Sequence, residues 1–173
     1  WPSRSSYFGI CDLAGLPKDR YYLYRSVWNK DSHTLHIAPH WSWGKEMVGK
    51  TVPVQVYTDF DEAELFINGK SQGKRKNDNT PNPKAGQEST NPNGKKAAEP
   101  NLDRYRLRWM DTKYEPGEIK VVAYDKDGKA YEEVVKTAGK PEKLKMEVWT
   151  AGKKLKADGD DLAYITISMT DKD

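Results

Sequence analysis

A twelve-residue stretch in the first half of the chain, AELFINGKSQGK at residues 63–74, decides the fold. Every second residue from Ala63 to Ile67 is apolar, which is the period of a β-strand with one buried face. Asn68-Gly69 follows at once and can supply the two positive-φ residues of a type I′ turn. The stretch therefore predicts a β-hairpin whose second strand returns over Ser71–Lys74.

The same two-residue period recurs on both sides of this hairpin. Asp127-Gly128 gives a second hairpin signal, and Pro116-Gly117 marks another turn. Seven short strands separated by turn signals are typical of an immunoglobulin-like β-sandwich, so the predicted fold class is all-β. The predicted strands lie near Leu35–Pro39, Val52–Val56, Ala63–Ile67, Ser71–Lys74, Tyr105–Trp109, Ile119–Tyr124 and Tyr131–Thr137.

One helix and a second set of strands flank the predicted sandwich. Pro17 suits the first turn of a helix, and Tyr21, Tyr24 and Trp28 follow at helical spacing, so a short N-terminal helix is expected from Lys18 to Trp28. This aromatic face needs a large apolar partner. After a linker at 138–141, two or three alternating strands predict the start of a second β domain, too small to fold alone.

A polar stretch, residues 76–103, interrupts the strand pattern. It holds four prolines and many Asn and Lys residues, with almost no apolar side chain. Such a segment cannot bury enough surface to offset its ordering entropy. We expect a long, mobile loop between two strands.

Composition excludes several classes of function. The chain has 173 residues, 29 basic and 26 acidic, and a net charge of +3. Its basic residues are scattered among acids, whereas nucleic-acid binding needs them clustered, so no nucleic-acid partner is expected. One cysteine, Cys11, excludes an internal disulfide and fits a small, part-buried thiol. No apolar run reaches the ~20 residues of a membrane helix, so no membrane span is expected.

Trp41, Trp43 and His40 form the candidate binding site. The two tryptophans share one parity of a predicted strand, with His40 adjacent. Exposed aromatic rings beside polar groups can stack against sugar rings, so a carbohydrate platform is one interpretation. The other is that both rings pack against the aromatic face of the helix, because large aromatic side chains are mostly buried.

The remaining candidates indicate no metal, cofactor or nucleophile. His36 and His40, four apart on one strand, would lie ~13 Å apart, too far to share a metal, and are expected to be surface or turn residues. Two acidic groups, at 59–62 and 158–161, are expected to be solvated turns. Asp158-Gly159-Asp160 has some of the look of a calcium loop but lacks its twelve-residue ligand spacing with a terminal Glu. No catalytic residue is predicted.

Several stretches carry a resemblance to a known family. SYFGICDLAGLPKD at 6–19, with the aromatic helix, resembles the last strand-to-helix segment of the catalytic barrel in glycoside hydrolase family 2 β-galactosidases of the Bacteroides type. The domain that follows that barrel is similar to this chain in four segments, and its exit is similar to a fifth. These are HIAPHWSW at 36–43, VQVYT at 54–58, ELFINGKS at 64–71, YEPG at 114–117 and TAGKP at 137–141.

The resemblance implies an organisation and a role. Residues 1–30 would be the tail of the barrel, 31–138 the immunoglobulin-like sandwich, and 139–173 a linker and part of a second such domain. The family hydrolyses terminal β-galactosides or related glycosides with retention, using two carboxylates about 5 Å apart. Both lie on barrel strands before the segment that begins here, and no position of this chain matches them.

The expected role is therefore a non-catalytic accessory region of a larger glycoside hydrolase. Since the chain opens at Trp1 without Met, we expect it to be excised from that parent. The resemblance implies a secreted or periplasmic bacterial protein whose partners are the neighbouring domains. A glycan ligand and a homo-oligomer stay open, and the alternative function is a carbohydrate-binding module that uses exposed Trp residues.

Overall fold

The computed structural model describes residues 7–78, 103, 106–150, 152 and 154–172, together with the backbone of 89–90 and 96–97. It divides into two compact units, Trp1–Lys136 and Thr137–Asp173. One α-helix, α1 (Asp19–Trp28), is present in the described part. In chain order the strands are β1 (Leu35–Ala38), β2 (Val54–Thr58), β3 (Glu62–Ile67), β4 (Lys70–Lys76), β5 (Ser89–Thr90), β6 (Lys96–Ala97), β7 (Leu107–Trp109), β8 (Glu118–Tyr124), β9 (Ala130–Lys136), β10 (Lys143–Trp149) and β11 (Tyr164–Thr170).

The first unit is a β-sandwich of two antiparallel sheets. One sheet has the order β1-β2-β7 and the other has the order β4-β3-β8-β9. These seven strands correspond to the seven predicted from the alternation, which confirms the all-β sandwich. The sequence did not predict the short 3-10 turn at Lys45–Met47 or the isolated pair β5-β6.

The hairpin in the opening stretch forms as predicted. Asn68 and Gly69 have φ values of 48° and 78°, which are the positive angles that a type I′ turn requires. The side chain of Asn68 also spans to the turn before β8. Its Nδ2 donates to the carbonyl of Pro116 at 3.2 Å, and its Oδ1 accepts from the backbone N–H of Glu118 at 2.8 Å. One side chain therefore stabilises two turns.

The core lies between the two sheets and is built from the alternating residues of both. The apolar positions of β3 and β8 that face inward are all buried, as are those of β2 and β7. Trp41, Trp109 and Tyr114 are the largest fully buried side chains. The buried strand residues are Ile37, Val54, Val56, Ala63, Leu65, Ile67, Leu107, Trp109, Ile119, Val121 and Ala123.

Helix α1 packs against β1 and β2, on the outer face of the three-stranded sheet. Its bounds agree with the prediction to within one residue, since Lys18 is the N-cap. Tyr24 and Trp28 stack on each other with ring centroids 4.9 Å apart, and Trp28 is 71% exposed. No helix among the described residues combines the length and apolar character that crossing a lipid bilayer requires.

The second unit is a single antiparallel hairpin of β10 and β11, in the positions that the sequence predicted. Three cross-strand pairs form one apolar face, and all six side chains are exposed. Two strands cannot bury such a face, so this unit has no core of its own. The pairs are Leu144 with Met169, Met146 with Ile167, and Val148 with Ile165.

The predicted loop at 76–103 lies largely outside the described residues. Its two ends are described, and they connect β4 to β7 as expected for an insertion between strands. The mobility predicted for it stays a prediction. Tyr105, placed in a strand by the sequence, is also outside the described part.

Candidate functional site

Trp41, the first residue of the predicted sugar platform, lies in the core. Its side chain has 0% exposure, and its ring packs edge-on against Tyr114 with centroids 5.2 Å apart. Its Nε1 donates to the carbonyl of Glu115 at 3.0 Å. Because no ring face reaches solvent, Trp41 cannot stack on a sugar in this structure.

His40 and Trp43 lie beside each other outside any strand. The prediction that they continue a strand is wrong, because β1 ends at Ala38. The His40 ring is exposed and lies 4.2 Å from the half-buried ring of Trp43. The indole N–H of Trp43 is buried without a hydrogen-bond partner among the described residues. The platform is thus reduced to one pair of rings, and its affinity for sugar stays a prediction.

The aromatic contact that joins α1 to the sandwich is Tyr22 on His36. The two rings are stacked, with centroids 3.7 Å apart and planes 16° apart. The interpretation of His36 as a surface histidine is therefore wrong, because α1 covers the outer face of β1 and leaves its side chain 17% exposed. Tyr57 on β2 lies beyond it with a centroid distance of 6.4 Å.

Both ring nitrogens of His36 face carboxylates from distant parts of the chain. Nε2 lies 3.0 Å from Oδ1 of Asp19 on α1, and Nδ1 lies 3.2 Å from Oε1 of Glu133 on β9. Burial by itself lowers the pKa of His36, but the hydrogen bonds to Glu133 and Asp19 outweigh it and raise the pKa above 6.5. We call His36, Tyr22, Asp19 and Glu133 the helix junction.

Glu133 also closes the gap between the two sheets at one side of the sandwich. Its Oε2 accepts a hydrogen bond from the backbone N–H of Ile37 at 2.6 Å. Ile37 is on β1 and Glu133 is on β9, and each of these strands is the last in its sheet. One carboxylate therefore connects the two sheet edges and the histidine.

An open cleft of about 490 Å³ lies at one end of the sandwich, lined by His33, the turn 59–62 and the residues 124–127. The sequence indicated a solvated turn here, but the carboxylate of Asp59 makes two specific contacts. Its Oδ1 accepts from the backbone N–H of Thr34 at 2.6 Å, and its Oδ2 lies 2.6 Å from Nδ1 of His33. The carboxylate holds the entry to β1 in place.

Among the residues that the structure describes, the carboxyl groups with a clear pKa shift all shift downward. Arg108 lowers the pKa of Asp103, the backbone N–H groups of Lys129 and Asp127 lower that of Asp125, and those of Asp160 and Asp161 lower that of Asp158. A glycosidase general acid needs the opposite shift. In the acidic turn at 158–161, Oδ1 of Asp158 accepts these backbone hydrogen bonds, each 3.1 Å long.

Sequence reasoning missed the helix junction because its members come from three distant segments. Asp19 and Glu133 lie 17 and 97 residues from His36. One signal was available: His36 and Tyr57 both occupy outward-facing strand positions, where large rings indicate that another element covers the sheet.

Comparison with known proteins agrees with this architecture. A family model described as a domain of unknown function (DUF4982) matches residues 49–132, within the sandwich. The β-galactosidase BoGH2A of Bacteroides ovatus is 39% identical over 174 residues, which cover 99% of this chain and 17% of that protein. A solved β-glycosidase from Bacteroides vulgatus superimposes with a TM-score of 0.74 at 31% identity, over 99% of this chain and 18% of that one.

A solved glycosyl hydrolase family 2 member from Bacteroides cellulosilyticus gives a TM-score of 0.73 at 27% identity, over 96% of this chain and 21% of that one. The chain is similar to family 2 glycoside hydrolases along nearly all of its length. It corresponds to a C-terminal part of such proteins and spans about one fifth of the length of these relatives. The resemblance found in the sequence is therefore confirmed at the level of the family.

Proposed function

We propose that this chain is a non-catalytic accessory β-sandwich region of a larger glycoside hydrolase of the β-galactosidase type. The observation that carries the proposal is the way α1 is held. The helix junction fixes it to a closed sandwich, while apolar side chains on and before it face solvent: Tyr7 and Phe8 are 80% and 87% exposed, and Trp28 is 71% exposed. Exposed apolar surface of this kind marks contact with another domain.

In this proposal residues 1–30 are the end of the catalytic barrel and residues 31–138 are the sandwich that supports it. The hairpin of β10 and β11 begins a further β domain, which its six exposed apolar side chains support. The neighbouring domains of the parent are then the partners of this region. The parent hydrolyses terminal β-galactosides with retention and is secreted or periplasmic, in keeping with its relationship to the β-galactosidase of Bacteroides ovatus.

The absence of catalysis in this region rests on the requirements of the reaction. Retention needs two carboxyl groups about 5–5.5 Å apart, one of them with a raised pKa. Two carboxylates of the open cleft are engaged in other contacts: Asp59 accepts from the backbone N–H of Thr34 and faces Nδ1 of His33, and the backbone N–H of Lys129 lowers the pKa of Asp125. A lowered pKa is the opposite of what a general acid needs.

The test is hydrolysis of a chromogenic β-galactoside by the 173-residue chain and by the full-length parent. We expect release of the chromophore by the parent and none above buffer by the chain. Turnover by the chain at an enzymatic rate, lost when Asp59 and Asp61 are both changed to Asn, would overturn the proposal and place a catalytic pair in the cleft.

A carbohydrate-binding role is the second candidate, supported by the exposed His40 ring beside Trp43. Titration of the chain with galactosides, followed by tryptophan fluorescence, tests it. Sugar binding at this pair predicts a saturable change that Trp43→Ala abolishes and Trp28→Ala preserves. No change at millimolar sugar in the unmodified chain would remove this candidate.

A further inference from the structure

The helix junction has a hydrogen-bonding requirement that only one protonation state of His36 meets. A neutral imidazole carries one N–H, so its second nitrogen is an acceptor. Each nitrogen of His36 faces a carboxylate oxygen, at 3.0 Å on Asp19 and 3.2 Å on Glu133. In the neutral ring, one of these contacts would therefore set a lone pair against a carboxylate. The imidazolium donates to both.

The two carboxylates belong to different structural elements, and this gives the charge of the ring a mechanical consequence. Asp19 opens α1, whereas Glu133 is on β9 and is also held by the backbone N–H of Ile37. Glu133 is thus part of the sandwich with or without the histidine proton. Asp19, 64% exposed, is free to move with the helix.

We propose that His36 is a pH-sensitive latch that holds α1 against the sandwich when its ring is cationic and loosens the helix when the proton is lost. The inference does not depend on what the parent protein hydrolyses, because it concerns a contact inside this chain. It adds a conformational property to the attachment role proposed above.

Among the groups at the helix junction, His36 is the one whose charge changes with pH near neutrality. Histidine is the side chain whose ordinary pKa places its charge change between pH 5 and 8, whereas carboxyl and phenol groups ordinarily titrate outside that range. The titratable groups that face the ring are Asp19 and Tyr22 from α1, Tyr57 from β2 and Glu133 from β9.

The direction of the pH effect follows from the raised pKa. A group whose pKa is higher in the folded state stabilises that state fully below its unfolded pKa, here about 6.5, and the contribution is lost as pH rises through the folded pKa. The latch is therefore closed at mildly acidic pH and opens on the alkaline side. Stacking of Tyr22 on the ring is weaker when the ring is neutral, so it changes in the same direction as the ion pairs.

Amide hydrogen exchange of the 173-residue chain, corrected for the intrinsic pH dependence, tests the latch. Between pH 6 and 9 we expect the protection of residues 19–28 to fall about fivefold, the size that a partly exposed ion pair supports. Protection in β3 and β8 should stay constant. Constant protection of residues 19–28 across this range would overturn the proposal.

Two variants sharpen the measurement. His36→Gln removes the titrating group, so the protection of residues 19–28 should no longer depend on pH. His33→Gln is the matched control: His33 also pairs with a carboxylate, Asp59 at 2.6 Å, but its ring packs on Phe60 and Tyr131 and not on a side chain of α1, so the pH dependence should remain. The same pH dependence in His36→Gln would contradict the latch.

A second measurement uses the unmodified chain and does not rely on a variant that folds. The NMR signals of the His36 ring and of the backbone amides of residues 25–28 should shift with pH at one common midpoint, because these amides belong to the last turn of α1 and report the loosening of the helix. Amide signals of residues 25–28 that stay constant while His36 titrates would show that the charge does not act on the helix.

Discussion

Trp41 shows how much a single buried ring decides in this fold. It is fully buried, packs on Tyr114 and binds the carbonyl of Glu115, so it fills the core and satisfies a loop at the same time. Alternation could not reveal this, because Trp41 lies in irregular chain after β1 and its partners are more than 70 residues away. The sequence favoured burial of Trp41 and Trp43 against the aromatic face of the helix, and for Trp41 that packing partner was wrong, because its ring packs on Tyr114 in the core.

At the residue scale we predict that Trp41→Ala lowers the free energy of unfolding by about 3–5 kcal/mol, because it leaves a large cavity and an unpaired carbonyl. Trp28→Ala is the control, since that ring is 71% exposed, and should change the free energy by less than about 1 kcal/mol. Urea unfolding of both variants measures the difference. Equal losses would contradict the assignment of Trp41 to the core.

At the scale of elements, the strands and hairpins could be predicted from the sequence, but the side-chain contacts that join one element to another could not. A two-residue period and an Asn-Gly turn are local, so the sequence defines β3 and β4 without knowledge of the rest. The helix junction depends on which strand lies beside β1, which no local pattern contains. The second task of Asn68, binding to the turn before β8, was hidden for the same reason.

Because Asn68 contacts the turn before β8, a substitution in that turn should lower the stability of the protein. Gly117 has a φ of 134°, and a Cβ added there would lie 2.0 Å from Oδ1 of Asn68. We expect Gly117→Ala to cost about 2–4 kcal/mol, since it combines backbone strain with a steric clash. Gly128→Ala, with a φ of 79° and open space at its Cβ, should cost only about 1–2 kcal/mol for the strain alone. Thermal unfolding compares the two variants, and a larger loss in Gly128→Ala would refute the clash.

At the scale of the whole molecule, the sequence predicted three segments, 1–30, 31–138 and 139–173, and their assignment to domains stays a prediction. The structure divides into two compact units, with a boundary between Lys136 and Thr137. The first unit has a core between two sheets, and the second has one layer with an exposed apolar face. The free energy of unfolding should therefore come almost entirely from the first unit.

We predict that a chain ending at Lys136 unfolds in urea with the same midpoint as the 173-residue chain, within about 0.5 M. The isolated segment 137–173 should show no cooperative transition, because a two-stranded hairpin is at best marginally stable in water. Circular dichroism follows both. A large loss of stability in the shortened chain would mean that the hairpin contributes to the sandwich.

The bond from Ile37 to Glu133 also bears on how the protein avoids self-association. A free edge strand offers unpaired N–H groups to strands of other molecules, and inward-pointing charges are one way in which natural proteins deter such pairing. Glu133 occupies the Ile37 N–H with a carboxylate, so an intruding strand would have to displace a charge. Glu133→Ala should therefore aggregate faster in light scattering than Glu132→Ala, which removes an exposed neighbouring carboxylate from the same strand. Glu133 thus connects the two sheets within one molecule and also hinders pairing between the sheets of separate molecules.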